Sequence, residues 1–138
     1  MSPLRIQMKT LSIQTHSREE LIDITSKVKE AIDSSGIKNG ICFVYIPHTT
    51  AGVTINENAD PSVKADILMA FRNIVPDSLS YTHAEGNSPA HIKATLVGSS
   101  IALIIDNGYP ALGTWQGVFF CEFDGPRRRK AYIKVTSA

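Results

Sequence analysis

The sequence predicts an α+β protein in which a mostly antiparallel β-sheet packs with two to three helices. About six short stretches have the apolar or alternating pattern of strands, and many of them follow one another directly along the chain. Other stretches repeat apolar residues at helical spacing behind clear start signals. With 138 residues, 43% of them hydrophobic, we predict a single domain over 1–138 with its own core.

The first strand is predicted in "LRIQMKTLSIQT", where apolar and polar residues alternate. Ile6 and Met8 share one face, whereas Leu11 and Ile13 are in the opposite phase. This change of phase indicates a β-bulge near Thr10.

The first helix is predicted to begin at a capping box formed by Ser17 and Glu20, and to end at Gly36. Between these signals, four apolar residues recur at helical spacing: Leu21, Ile24, Val28 and Ile32.

Two strands are predicted next, separated by a bend at His48. The apolar run "GICFVYIP" is a buried strand that stops at Pro47, and "GVTIN" is a short β-branched strand beyond the bend. Asp60 and Pro61 then signal the start of a second helix. Its apolar stripe consists of Val63, Ile67, Ala70 and Phe71.

The remaining part of the chain begins with a polar loop, "YTHAEGNSPAH". Ser88 and Pro89 cap a short helix that carries His91. Three strand-like stretches follow: "SIALIID", ended by an Asn-Gly turn, then "GTWQGVFFCEF", then "AYIKV" with alternate residues facing the core.

Composition and charge argue against several classes of function. A net charge of +1 gives no general attraction to nucleic acid or membrane, and the only dense basic run is "GPRRRK" at 125–130. No apolar run is long enough to cross a bilayer, and no hydrophobic leader begins the sequence. Cys42 and Cys121 lie in apolar runs, as buried thiols do in a reducing compartment. We therefore expect a cytoplasmic protein with no nucleic-acid or membrane partner.

Three of the four histidines lie at element ends or in the polar loop, where functional groups concentrate. His48, His83 and His91 would form a zinc-type site with an open position if the fold brought them together. The alternative is that each caps a helix or bonds a loop carbonyl, and the spacing alone favours this alternative. His16 precedes the first helix and is expected at the surface.

Three further features have two interpretations each. Glu122 interrupts an apolar strand, so it either pairs with an arginine or faces a site. Arg127, Arg128 and Arg129 either clamp an anionic substrate or form a solvated charge run. Trp115 is either core packing or part of a ligand contact in the segment "GTWQG".

Four ordered motifs resemble one known family. "HTTAGVTINENADP", "HAEGNSPAHIKA", "LGTWQG" and "CEFDGPRR" are similar to the YjbQ family, also called UPF0047 and often labelled secondary thiamine-phosphate synthase. The resemblance implies a YjbQ-like fold and a homotrimer. Many members have the longer "EGADDMPAH" where this chain has "EGNSPAH", so the loop before His91 is shorter here.

The resemblance also assigns site residues. It implies metal ligands at His48, His83 and His91. It implies catalytic roles for Asn56, Glu57 and Glu122. It implies substrate contacts from Thr49, Glu85, Asn87, Thr114, Trp115, Gln116 and Arg128.

The family label implies a transferase that couples a pyrimidine-methyl diphosphate to a thiazole phosphate, so the expected partner is a small phosphorylated metabolite. A divalent metal is expected, zinc-like if the histidines bind it and magnesium if it serves the diphosphate. Two alternatives remain open: a metal-dependent hydrolase of a phosphorylated or acyl small molecule, and a non-catalytic trimer that binds a metabolite or a metal.

Overall fold

The computed structural model describes residues 8–138, in which eleven elements follow one another. The strands are β1 (Met8–Gln14), β2 (Glu20–Asp23), β3 (Gly40–Tyr45), β4 (Ala51–Glu57), β5 (Ser100–Asp106), β6 (Tyr109–Pro110), β7 (Gln116–Glu122) and β8 (Arg128–Ser137). The helices are α1 (Thr25–Ser35), α2 (Pro61–Ile74) and α3 (Ser88–Val97). This arrangement confirms the predicted α+β class.

The strands form two sheets, and every pairing in the described residues is antiparallel. One sheet has the order β1-β8-β3-β5-β6, and the other has the order β2-β7-β4. The main core lies between the sheets and includes the buried side of α1. A second apolar cluster joins the opposite face of β7 to α2 and α3. Because β7 is covered on both faces, its sequence is apolar without alternation.

Two predictions for the N-terminal part are wrong. The first helix begins at Thr25 instead of Ser17, because Glu20–Asp23 pairs with β7 as a strand. The Glu20 carboxylate does accept hydrogen bonds from the backbone N–H groups of His16 and Ser17, as in a capping box. These bonds close a turn before β2 and do not start a helix. The predicted bulge near Thr10 is absent, since β1 pairs with β8 residue by residue over Met8–Gln14. Ile6 lies outside the described residues.

Other local predictions are confirmed. Asp60 caps α2 by accepting a hydrogen bond from the backbone N–H of Ser62. Asn107 and Gly108 both have positive φ, as the hairpin turn after β5 requires. Cys42 and Cys121 are buried free thiols, and burial raises their pKa values to about 11 and about 12. No helix in residues 8–138 is both long and apolar enough to span a membrane.

Candidate functional site

Several separate parts of the chain meet at one end of the strands of the three-stranded sheet. His48 and Thr49 lie between β3 and β4, His83 lies in the loop before α3, and His91 lies on the first turn of α3. The segment between β7 and β8 contributes Arg127 to the same end. Together these residues line a depression of about 360 Å³, within the range of small-ligand sites. We call it the histidine depression.

Two further depressions share lining residues with the histidine depression, and all three share His91. One has a volume of about 690 Å³ and also contacts His83. The other has a volume of about 490 Å³ and also contacts His48. The ring centroids of His83 and His91 lie 5.1 Å apart in an edge-to-face arrangement. The three depressions therefore adjoin one another at His91, and we call them together the groove.

Long-range contacts hold α3, and with it His91, in place. Lys93 is buried on this helix, and its Nζ donates to the Glu19 carboxylate across 2.6 Å. A Cβ atom added at Gly52 would lie only 2.6 Å from the Gly98 carbonyl oxygen, so β4 passes very close to the end of α3. The sequence did not predict either contact, because both depend on how the elements pack.

His48 takes the place of a missing strand residue. The register between β3 and β8 would put residue 47 opposite Lys130, but β3 ends at Tyr45 and Pro47 turns the chain away. The backbone N–H of Lys130 instead donates to Nε2 of His48 across 2.9 Å. Partial burial and the nearby Arg129 guanidinium lower the pKa of His48 below its usual value. His48 is therefore a neutral imidazole near neutral pH.

Glu122 and Arg129 form a buried ion pair under the depression. Glu122 is fully buried, and its carboxylate accepts from the Arg129 guanidinium, from the Thr15 hydroxyl and from the backbone N–H of Asp124. Burial alone would raise the pKa of Glu122, but these hydrogen bonds and the arginine charge bring it below the usual value. The geometry therefore favours the ion-pair interpretation, and an enclosed, fully bonded carboxylate is poorly placed to move a proton to a ligand.

A second polar chain of contacts borders the depression. Arg127 donates through Nε to the backbone oxygen of Asp124 and through Nη2 to its carboxylate. The same carboxylate accepts from Nδ2 of Asn87 across 2.9 Å. Asn87 Oδ1 is shielded and is the one buried side-chain polar atom without a partner in residues 8–138. Asn87 directly precedes α3 at the N-cap position but makes no side-chain cap, because its amide turns towards Asp124.

The arginine nearest the depression differs from the one implied by the resemblance. Arg127 and Arg129 line it, whereas Arg128 lies on the exposed face of β8 opposite Gln14. Because side chains alternate along a strand, a shift of one position moves an arginine from the core to solvent. The sequence could not distinguish these neighbours without the register of β8.

The remaining predicted residues lie at the other end of the sheet. Ala51 pairs with Glu122 beside the histidine depression, but Glu57 pairs with Gln116 at the far end of the same ladder. Six steps of about 3.3 Å separate the two ends of β4 by roughly 20 Å. We call this far end the Trp115 end; it consists of Asn56, Glu57, Thr114, Trp115 and Gln116. Within one chain, the predicted site is thus divided in two.

The histidines do not fit a resident metal ion in this arrangement. No group of three His, Cys, Asp or Glu side chains in residues 8–138 is placed to hold a metal. A neutral imidazole that binds a metal through one nitrogen carries its hydrogen on the other. In His48, Nε2 accepts from Lys130, so its lone pair is used and Nδ1 carries the hydrogen. A metal site at these histidines stays a prediction, and no chemical step is derived through one.

The fold and the groove together define a class: a small α+β protein with two antiparallel sheets and an imidazole-lined surface site. The family described as "UPF0047 protein YjbQ-like" matches residues 9–138. The chain belongs to this family.

Relatives and solved structures agree with this assignment. A UPF0047 protein of Methanocaldococcus jannaschii is 58% identical over 123 residues, which cover 89% of each chain. A structure of an uncharacterised YjbQ/UPF0047 protein from Clostridium acetobutylicum is 53% identical with a TM-score of 0.91, covering 93% of this chain and 99% of that one. A YbjQ-like protein of unknown function from Sulfolobus solfataricus has a TM-score of 0.93 at 32% identity, with coverage of 97% and 99%.

Proposed function

We propose that this protein is an enzyme that acts on a phosphorylated small molecule in the histidine depression. The observation that carries the proposal is the meeting of His48, His83, His91 and Arg127 around one depression of about 360 Å³. Imidazole and guanidinium N–H groups are suitable donors to phosphoryl oxygens. The reaction we propose is of the thiamine-phosphate synthase type, in which a pyrimidine-methyl diphosphate is joined to a thiazole phosphate.

This reaction matches what the side chains offer. The thiazole nitrogen attacks the methylene carbon with its own electron pair, a C–N bond forms, and the C–O bond to diphosphate breaks with the electrons leaving on oxygen. The attack needs no protein base, so the enclosure of Glu122 and the distance of Glu57 are no obstacle. The protein's task is to hold both reactants and to donate hydrogen bonds to the departing diphosphate.

The groove supports a reaction with two substrates. Its three depressions share His91, so space for a second ligand adjoins the histidine depression at that residue. By contrast, a hydrolase that uses a metal-bound water needs a ligand set, and the histidines do not supply one in this arrangement. The geometry therefore favours the transferase over the hydrolase.

The proposal is tested with purified protein, both substrates and Mg²⁺ as the counter-ion of the diphosphate. We expect thiamine phosphate only when both substrates are present, and at least a tenfold lower rate in His91→Ala. His16→Ala is the matched control, because His16 is exposed and outside the groove. Binding of the substrates without turnover would instead establish a non-catalytic binding protein, and no product above a heat-killed control would refute the synthase.

We also propose that the protein assembles as a homotrimer. Support comes from the outer face of the five-stranded sheet, where Phe43, Tyr45 and Ile104 are exposed and Tyr45 stacks on Tyr132. Exposed apolar surface of this kind commonly marks an interface. A trimer would also allow the Trp115 end of one chain to approach the histidine depression of another. Light scattering after gel filtration tests the mass, and a Tyr45→Lys variant should shift it towards a monomer.

A further inference from the structure

The imidazole of His48 is held by the backbone in a way that fixes which nitrogen carries its hydrogen. Lys130 belongs to β8. Its N–H lies beyond the last residue of β3, Tyr45, so no strand residue of β3 is opposite it. An amide N–H can only donate, so Nε2 of His48 must accept with its lone pair. The neutral ring therefore carries its hydrogen on Nδ1. A histidine side chain in water prefers the opposite arrangement, so the fold imposes this one.

The Nδ1 atom is available to a ligand. No described group bonds to it, and unlike Asn87 Oδ1 it is not fully shielded from solvent. His48 lines both the histidine depression and the neighbouring depression beside Thr95. Nδ1 is its only ring nitrogen without a bond to a described group, and in the neutral ring that group is a donor.

The charges around His48 favour this neutral state. The Arg129 and Arg127 guanidinium groups are the nearby cations, and both oppose a second positive charge on the ring. The Glu122 carboxylate favours the charged ring, but it is already bonded to Arg129. The donated hydrogen bond from Lys130 is kept only while Nε2 remains unprotonated.

We propose that His48 is a hydrogen-bond donor locked in its Nδ1–H form, and that it donates to a phosphoryl oxygen of the ligand. The identity of the acceptor rests on the proposed function, whereas the locked form of the ring rests on the contact with Lys130 alone. A neutral donor of this kind stabilises the negative charge on a departing diphosphate without itself changing protonation. In this state His48 is neither a general base nor a metal ligand.

The form of the ring is tested by ¹⁵N NMR of histidine-labelled protein near neutral pH, with His48→Asn used to assign the signal. We expect a protonated Nδ1 and an unprotonated, hydrogen-bonded Nε2, both unchanged when Zn²⁺ is added. A protonated Nε2, a doubly protonated ring, or loss of the Nδ1 hydrogen on addition of Zn²⁺ would overturn the inference. This measurement needs no ligand, so it is independent of the proposed function.

The donor role is tested with inorganic diphosphate and two amide variants. In His48→Asn the side-chain amide nitrogen occupies a position close to Nδ1, whereas in His48→Gln it occupies a position close to Nε2. We expect the His48→Asn variant to bind diphosphate with an affinity within about threefold of wild type. The His48→Gln variant should bind it about tenfold more weakly, which corresponds to the loss of one hydrogen bond to a charged group. Equal loss in both variants would overturn the donor role.

The two tests separate the possible failures. If the ring is locked but wild-type protein does not bind diphosphate, phosphoryl recognition is refuted together with the acceptor that we assign to His48. If diphosphate binds but the ring is not locked, the proposed function survives and the inference about His48 fails. His16→Asn controls for the number of histidines, because it should leave both results unchanged.

Discussion

The two ends of the β4–β7 ladder differ in how their polar residues are held. At the Ala51 end, side-chain hydrogen bonds from Arg129 to Thr50 and from Thr15 to Glu122 join residues 79 and 107 positions apart. At the Trp115 end, the carboxylate of Glu57 and the amide of Gln116 bond only to backbone two or three positions away. Long-range hydrogen bonds within the chain thus fix the polar side chains at the Ala51 end, whereas only local turns hold those at the Trp115 end. This difference is why we place the ligand at the histidine depression.

The largest expected effect comes from breaking the buried pair below the depression. Glu122→Gln should destabilise the protein by about 3–5 kcal/mol, because it leaves the buried Arg129 charge without its partner. Urea unfolding measures the change. The matched variant Glu57→Gln removes a carboxylate at the Trp115 end and should change the free energy of unfolding by less than about 0.5 kcal/mol. Similar effects of the two variants would contradict the contrast between the ends.

The same pair predicts a dependence on pH. Glu122 has a lowered pKa in the folded protein, so its contribution is fully present above the unfolded value near 4.5. That contribution should be lost as the pH falls below this value through the folded pKa. Urea unfolding of wild type and Glu122→Gln across this range should therefore show a difference that shrinks on acidification. A difference that is constant with pH would show that the carboxylate charge is not its origin.

A smaller effect is expected where β4 touches α3. Gly52→Ala should cost about 1–3 kcal/mol, since the new Cβ would lie 2.6 Å from the Gly98 carbonyl oxygen and 3.1 Å from Val97 Cγ1. The move it forces on α3 should also shift the NMR signals of His91. If Gly52→Ala unfolds like wild type with the His91 signals in place, the close contact does not position this helix.

The smallest effect on the stability of the chain is expected at the Trp115 end. Trp115 is 64% exposed, so Trp115→Ala should change the free energy of unfolding of the monomeric state by less than about 0.5 kcal/mol. Gel filtration of the variant gives the mass, which separates this effect from any role in the trimer. A loss above about 2 kcal/mol without a change in mass would mean that the chain itself packs against Trp115.

Local signals predicted much of the fold, because they act over a few residues. Pro47 ends β3, Asp60 caps α2, and the Asn107–Gly108 turn ends β5, as the sequence indicates. Glu20–Asp23 was predicted as helix because Leu21 and Ile24 also fit helical spacing. Its pairing with β7 is a long-range contact that overrides the local pattern.

The candidate site was predictable in part for the same reason. His48, His83 and His91 were singled out by their positions at element ends or in the polar loop, and all three line one depression. The separation of Glu57 from that region follows from the register of β4 with β7, and the choice of Arg127 and Arg129 over Arg128 follows from the register of β8. The Lys130 contact that fixes His48 is made by a backbone group, so no side chain in the sequence signals it.

The most direct test of where the ligand binds is a map of backbone amide NMR shifts on titration with inorganic diphosphate. We predict that the shifted signals cluster at residues 48–50, 83–91 and 124–130, around the histidine depression. Shifts confined to residues 56–58 and 113–116, with none around the histidine depression, or no shifts anywhere, would contradict the account.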